Sequence, residues 1–389
     1  MRKTSVLLRQ HIGWYFMKHW RIQGQRKPLE TGAERSIKEK GFPVYKPEDI
    51  LREKKCSKVE VVGHKNKPIP LNETHPNWHN QPLLSYKDNN VLLEGLKQAK
   101  ILTKSIELKG DQKILFLDHM FLMLNKKKLP KIKDPERPAW NFPRSYGVSP
   151  TRVRKLIISR LLQLIESTCT NQELVKERYV FNDLFFSFPF ERNGDLLQFQ
   201  ISGDTVITSS NPLPPITNVS TESLELPVID PIKPTITLNK ENIYEIKTIY
   251  PIKSLTNKTH PHTIFMHYDK EEVKNLFEEE VTESQIFGRS LLKSFTVGAS
   301  YARQIYGDDV KLLPKPVSIQ CIQSDGRFYH FGILQLNTLD LEESITKNIW
   351  FQTPMLNLFD KCCYKLGKPV LEGYNSEVIK YLYAFYNNV

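Results

Sequence analysis

The stretch SQIFGRSLLKSFTVGASYARQIYGDDVKLLPKPVSIQCIQSDGRFYHFGILQLNTLDL, residues 284–341, decides the fold. Its first part predicts a long helix from Glu283 to Tyr306, stopped by Gly307 in the usual C-terminal position. From Val317 the apolar spacing changes to period two. The chain then reads as two alternating strands joined at Ser324, Asp325, Gly326 and Arg327, a hairpin. Alternation puts Ile319 and Cys321 on one face of the first strand, and Ser318, Gln320 and Ile322 on the other.

Reading outward, the same two signals recur. FFSFPFERNGDLLQFQISGD, residues 185–204, is two strand-like runs around Arg192, Asn193, Gly194 and Asp195, because Asn-Gly suits a turn whose two central residues need positive φ. NPLPPITNVSTESLELPVIDPIKP, residues 211–234, is a Pro-rich crossing, and ENIYEIKTIYPI, residues 241–252, is a strand. SPTRVRKLIISRLLQLIESTC, residues 149–169, predicts a helix with Ser149 as N-cap and Pro150 at its first position. Val153, Leu156, Ile157, Arg160, Leu161, Leu164 and Ile165 form one face of it, with Arg152, Arg154 and Lys155 opposite. A last helix runs from Ser376 to Tyr386. Strand runs and helices alternate in blocks, so the expected fold is mixed α/β (α+β). Residues 147–389 are a layered core domain of hairpins and mixed sheet with long helices.

Ahead of this core, residues 31–146 are rich in Pro, Lys and His and read as an extended arm with a helix at 89–105. Residues 1–30 read as a mitochondrial presequence. Arg2, Lys3, Arg9, Lys18, Arg21, Arg26 and Lys27 precede the first acid, Glu30, and apolar residues interleave with them. A secretory signal would need an unbroken apolar core, which is absent there. No segment of the sequence approaches the roughly 20 apolar residues of a membrane span.

The net charge of +12 favours polyanionic partners, and loss of the seven N-terminal cations leaves about +5. That suits partial contact with RNA. The five cysteines, Cys56, Cys169, Cys321, Cys362 and Cys363, include no CxxC pair and read as reduced, buried thiols.

Catalytic signatures are lacking. GxSxG, GxxxxGK[ST] and GxGxxG do not occur. The pairs Asp308–Asp309 and Glu342–Glu343 are adjacent in sequence and read as caps and turns. HPHTIFMHYD places His260, His262, His267 and Asp269 within ten residues, but Pro261 breaks the pleat that would align the imidazoles, so the segment reads as a loop entering a strand. No cofactor, metal or small-molecule substrate is expected. Lys126, Lys127, Lys128, Lys131 and Lys133, followed by Arg137 and Arg144 interleaved with aromatic rings, can meet phosphates while the rings stack on bases. With Arg152, Arg154 and Lys155 they are the candidate RNA contacts.

Several strings together resemble a known family. VLLEGLKQAKILTKS (91–105), NPLPPI (211–216), ENIYEIK (241–247), HPHT (260–263) and residues 298–341 are similar to the animal mitochondrial large ribosomal subunit protein thirty-seven family, itself related to the programmed-cell-death-protein-nine type. The resemblance covers roughly residues 40–389 in blocks and is loose over 106–178. It implies an architectural, non-enzymatic protein of the mitochondrial large ribosomal subunit in the matrix. Its implied partners are large-subunit ribosomal RNA and other mitochondrial ribosomal proteins, a paralogue among them. The rival expectation is a matrix RNA-processing or RNA-modifying enzyme, which would show titratable groups converging in a deep pocket.

Overall fold

The computed structural model describes residue 21 and residues 31–45, 70–108, 150–169, 171–252, 259–365 and 368–389. The chain divides into two units, residues 1–69 and 70–389. In the first, helix α1 (Gly32–Glu39) starts with a capping box: the Glu34 N–H donates to the Thr31 hydroxyl, and the Thr31 N–H to the Glu34 carboxylate. It buries no residue. The rest of the presequence region and the basic run of 126–146 lie outside the described residues.

The second unit is a mixed sheet between helices. Its strands are β1 (Trp78–Tyr86), β2 (Ser105–Glu107), β3 (Arg178–Arg192), β4 (Asp195–Ser209), β5 (Asn239–Ile243), β6 (His260–His267), β7 (Leu312–Ser324), β8 (Phe328–Thr338), β9 (Asn348–Gln352) and β10 (Leu356–Asn357). The main path is β2-β9-β8-β7-β6-β4-β1-β5, with β3 paired to β4 and β10 to β8. Strands β11 (Lys361–Lys365) and β12 (Lys368–Glu372) form a separate ribbon. The helices are α2 (Leu96–Leu102), α3 (Pro150–Thr168), α4 (Gln172–Lys176), α5 (Glu283–Tyr306) and α6 (Glu377–Asn387).

Both hairpins form where expected. Arg192 pairs with Asp195, and Asn193 and Gly194 take φ of 49° and 77°, as a primed turn requires. Ser324 pairs with Tyr329 across a loop in which Asp325 Oδ1 accepts from the N–H groups of Arg327 and Phe328. Gly326 sits there at φ 100°. Gly326→Val forces a β-branched residue into that region, at a cost of about 1–3 kcal/mol. A melting temperature several degrees below wild type is expected, and an unchanged one would contradict the turn.

The period-two faces sort the core into two layers. Ile319 and Cys321 of β7, with Ile264 and Met266 of β6, face α5, whose Leu291, Leu292, Phe295 and Ala299 fill that side. Ile322 and Phe265 face the other way, onto Ile158, Leu161 and Ile165 of α3 and Leu382 and Phe385 of α6. Helix α5 has the bounds its sequence predicts, opened by a Thr282–Gln285 capping box and closed at Gly307. Helix α2 crosses it backbone to backbone: a Cβ on Gly288 would lie 2.7 Å from the Gly95 carbonyl group. Only two facing glycines allow that approach.

Three expectations change. Residues 78–107, placed by sequence within the arm, supply β1, α2 and β2 to this same sheet; Leu83–Tyr86 pairs parallel with Leu196–Phe199. The helix expected over 89–105 is confined to Leu96–Leu102, because Gly95 turns the chain at φ 54° and Lys104 at 50°. The strand expected over 241–252 is limited to β5, followed by a single bridge from Ile249 to Ser187.

Candidate nucleic-acid interface

Helix α3 is the described element that carries candidate RNA contacts. Its buried stripe is Ile157, Ile158, Leu161, Leu162, Leu164 and Ile165, whereas Leu156 and Arg160 are exposed. The stripe is thus rotated from the expected face, and this corrects the reading of Arg154. Arg154 lies one turn before Ile158 on the inward side and pairs with Asp269 at 2.7 Å, the two side chains 13% and 9% exposed. It is held inside the fold and faces no solvent phosphate. Hydrogen bonding from Arg154, and from the Glu271 N–H, holds the Asp269 carboxyl below the usual carboxylate value despite burial. Lys155 is one-third exposed and bonds Asp183 at 2.5 Å. Lys126, Lys127, Lys128, Lys131, Lys133, Arg137, Arg144 and the side chain of Arg152 lie outside the described residues.

Exposed cations that sequence reasoning passed over are dispersed. Lys97 lies on α2, Arg160 on α3, Lys240 on β5, and Lys315 on β7. Each is an isolated Lys or Arg in sequence, so no run flagged it.

The histidines of HPHTIFMHYD are separated by a bulge. Thr208 pairs with Pro261 and Ile207 with Thr263, so His262 has no partner position across the ladder. His260 meets the Tyr301 hydroxyl on the α5 side. His262 donates from Nε2 to the Asn388 carbonyl at 2.8 Å, near the end of α6. Burial, with Arg178 nearby, lowers the His262 pKa to about 3, so it is a neutral imidazole. Among the described residues no three His, Cys, Asp or Glu side chains converge as a metal would require.

One ionic cluster lies deep. Lys293, 1% exposed in the middle of α5, pairs with Asp88 Oδ1 at 2.5 Å and donates to the Ser202 carbonyl at 3.1 Å. Asp88 Oδ2 accepts from the Ser202 N–H at 2.8 Å, and Arg289 donates to the Asp88 carbonyl. Burial pushes the Asp88 carboxyl up, but Lys293 and Arg289 outweigh this and hold it below the usual value. The cluster ties β1, β4 and α5 together. A concavity of about 180 Å³ elsewhere on the unit is lined by Leu83, Phe190, Leu197 and their neighbours and includes none of these four groups. Each charge in the cluster is committed to a partner within the fold, and its geometry is that of a fastener.

No family model matches the chain. It is similar to the large ribosomal subunit protein mL37 of rat (Rattus norvegicus), 28% identical over 317 residues covering 75% of this chain and 70% of the relative. The protein of the same name from cattle (Bos taurus) is 27% identical, covering 74% of this chain and 69% of its own length. That from chicken (Gallus gallus) is 24% identical, covering 82% and 78%. Likeness over most of both chains in three vertebrates, beside the mixed α/β unit that carries the family's strings, supports the family of large ribosomal subunit protein mL37 for this chain.

Proposed function

We propose that this chain is a structural component of the mitochondrial large ribosomal subunit, located in the matrix, and that it supports mitochondrial translation by binding rather than by turnover. The observation that carries this is the likeness to mL37 over about three quarters of the chain. Its partners are the large-subunit ribosomal RNA and neighbouring ribosomal proteins, a paralogue of the chain among them. The exposed cations on several elements and the fastening geometry of the ionic cluster support the reading. They do not favour an RNA-modifying enzyme.

Within this reading Lys126, Lys127, Lys128, Lys131 and Lys133 are the main RNA contacts, with Arg137, Arg144, Arg152 and the part-exposed Lys155 beside them. Arg154 is committed to Asp269 and is not among them. Each phosphate contact is weak and screened by salt, so single alanine changes alter assembly little. Replacing all five lysines with alanine removes up to five phosphate contacts together. Incorporation into the large subunit should fall, and RNA crosslinks from residues 126–133 should vanish. Normal incorporation with unchanged RNA crosslinks would contradict the assignment.

A further inference from the structure

The concavity of about 180 Å³ has apolar walls made by Leu83, Pro189, Phe190, Leu196, Leu197 and Ile246. Cavities for small-molecule ligands run to roughly 300–1,000 Å³. This one is the size of a single large side chain. Leu83 and Leu197 form a rigid, fully buried floor, while Ile246 is 46% exposed on the rim.

Two charged groups line it. Glu191 is exposed, and Arg303 of α5 is part-buried. Arg303 is fixed in place: its Nη1 donates to the Pro189 carbonyl at 2.6 Å and the Thr248 hydroxyl at 3.0 Å, and its Cζ lies 4.2 Å from the Phe188 ring centroid. Its Nε–H is buried with no acceptor among the described residues. Outside the guanidinium, Asp308 and Asp309 act on Arg303 and are exposed, so they and Glu191 make this neighbourhood acidic on a chain that is basic as a whole. Phosphates are repelled from such a rim, whereas Lys and Arg are attracted to it.

Resting on the reading of the chain as a large-subunit protein, we propose that this pocket is a protein-docking site. It receives one apolar side chain, of leucine or phenylalanine size, from an extended Lys- or Arg-bearing segment of a neighbouring subunit protein. The cations of that segment face Glu191, Asp308 and Asp309. An apolar anchor in a preformed pocket with a charged rim is the usual composition of an interface hot spot.

The test uses the full chain expressed in cells and recovered in large subunits. A photo-reactive p-benzoylphenylalanine in place of Ile246 should crosslink to one protein peptide containing Lys or Arg beside an apolar residue. Ile246→Glu and, separately, Glu191→Arg should each lower the share of the chain found in large-subunit fractions by roughly threefold or more. Both variants, purified, should melt as the wild type does, and because they change different surface positions one can serve if the other misfolds. Crosslinks to ribosomal RNA, to a peptide without cations, or to nothing would overturn the proposal. So would wild-type incorporation of both variants. If the wild-type chain itself were absent from large-subunit fractions, the reading under the preceding heading would fail, and the pocket with it. If the chain is present and only the crosslink is missing, the pocket alone fails.

Discussion

Asp88→Asn is expected to destabilise the folded chain by about 3–5 kcal/mol, because it leaves the Lys293 ammonium buried without its counter-charge. Asp88 follows β1, Lys293 comes from α5, and Ser202, which both of them bond, belongs to β4. Loss of the carboxylate therefore loosens the parallel seam between β1 and β4 as well as the helix above it. Replacing both partners together, Asp88→Asn with Lys293→Met, should recover much of the loss, since the buried ammonium that the single change leaves without a counter-charge is then gone. The pair also predicts acid sensitivity. The folded-state pKa of Asp88 lies below its ordinary value, so its contribution is complete above the unfolded carboxylate pKa of about 3.9 and is lost as pH falls through the lower folded value. Thermal melts at neutral pH and in acid check both points. An Asp88→Asn protein that melts like wild type at neutral pH would show that the cluster is not a fastener.

Ending the chain after Ala384 is expected to be more damaging still. Phe385 and Tyr386 are 4% and 2% exposed and pack with α3 against the sheet, where loss of one buried aromatic costs about 3–5 kcal/mol. The removed residues also hold polar groups that have few other partners. Arg178, buried at the start of β3, donates to the Asn388 carbonyl at 2.7 Å, and His262 donates to the same oxygen. Gln320 of β7 donates to the Phe385 carbonyl at 2.9 Å and accepts from the Asn388 side chain at 3.0 Å. Truncation leaves a buried guanidinium, an imidazole and an amide short of partners in a layer that has lost its aromatics. The shortened chain should be insoluble or lack a cooperative melt. Removal of exposed Val389 alone should change nothing measurable. A soluble, cooperatively folded chain ending at Ala384 would contradict this account of the C-terminal layer.

The parts of this fold that were legible in the sequence are those set by short-range chemistry. Asn193-Gly194 and Asp325-Gly326 place turns, Thr282 and Gly307 bound a helix, and alternation sorts Ile319 from Ile322. Strand β1 was not legible, because WHNQPLLSY carries Pro82 and only a brief alternation, and its partner β4 lies over a hundred residues away in a parallel pairing that no local signal announces. Pro82 falls where the β1–β5 register shifts, which is how a strand accommodates it. Arg154 was misread for a different reason. The apolar residues of α3 are dense enough to support two stripes about a quarter-turn apart, and the choice between them is made by packing on residues remote in sequence, Phe265 and Ile322 among them, which leaves Arg154 against Asp269. The RNA-contact assignment rests on basic residues and not on resemblance, which is loose over 106–178, because phosphate binding needs charge rather than a fixed constellation and leaves no motif to read.

The central claim is membership of the large ribosomal subunit, and sedimentation of mitochondrial lysate through a sucrose gradient tests it most directly. The account predicts that the full-length chain moves with the large-subunit fractions and stays with them after the two subunits are dissociated. A chain that remains at the top of the gradient, while other large-subunit proteins sediment, would contradict it.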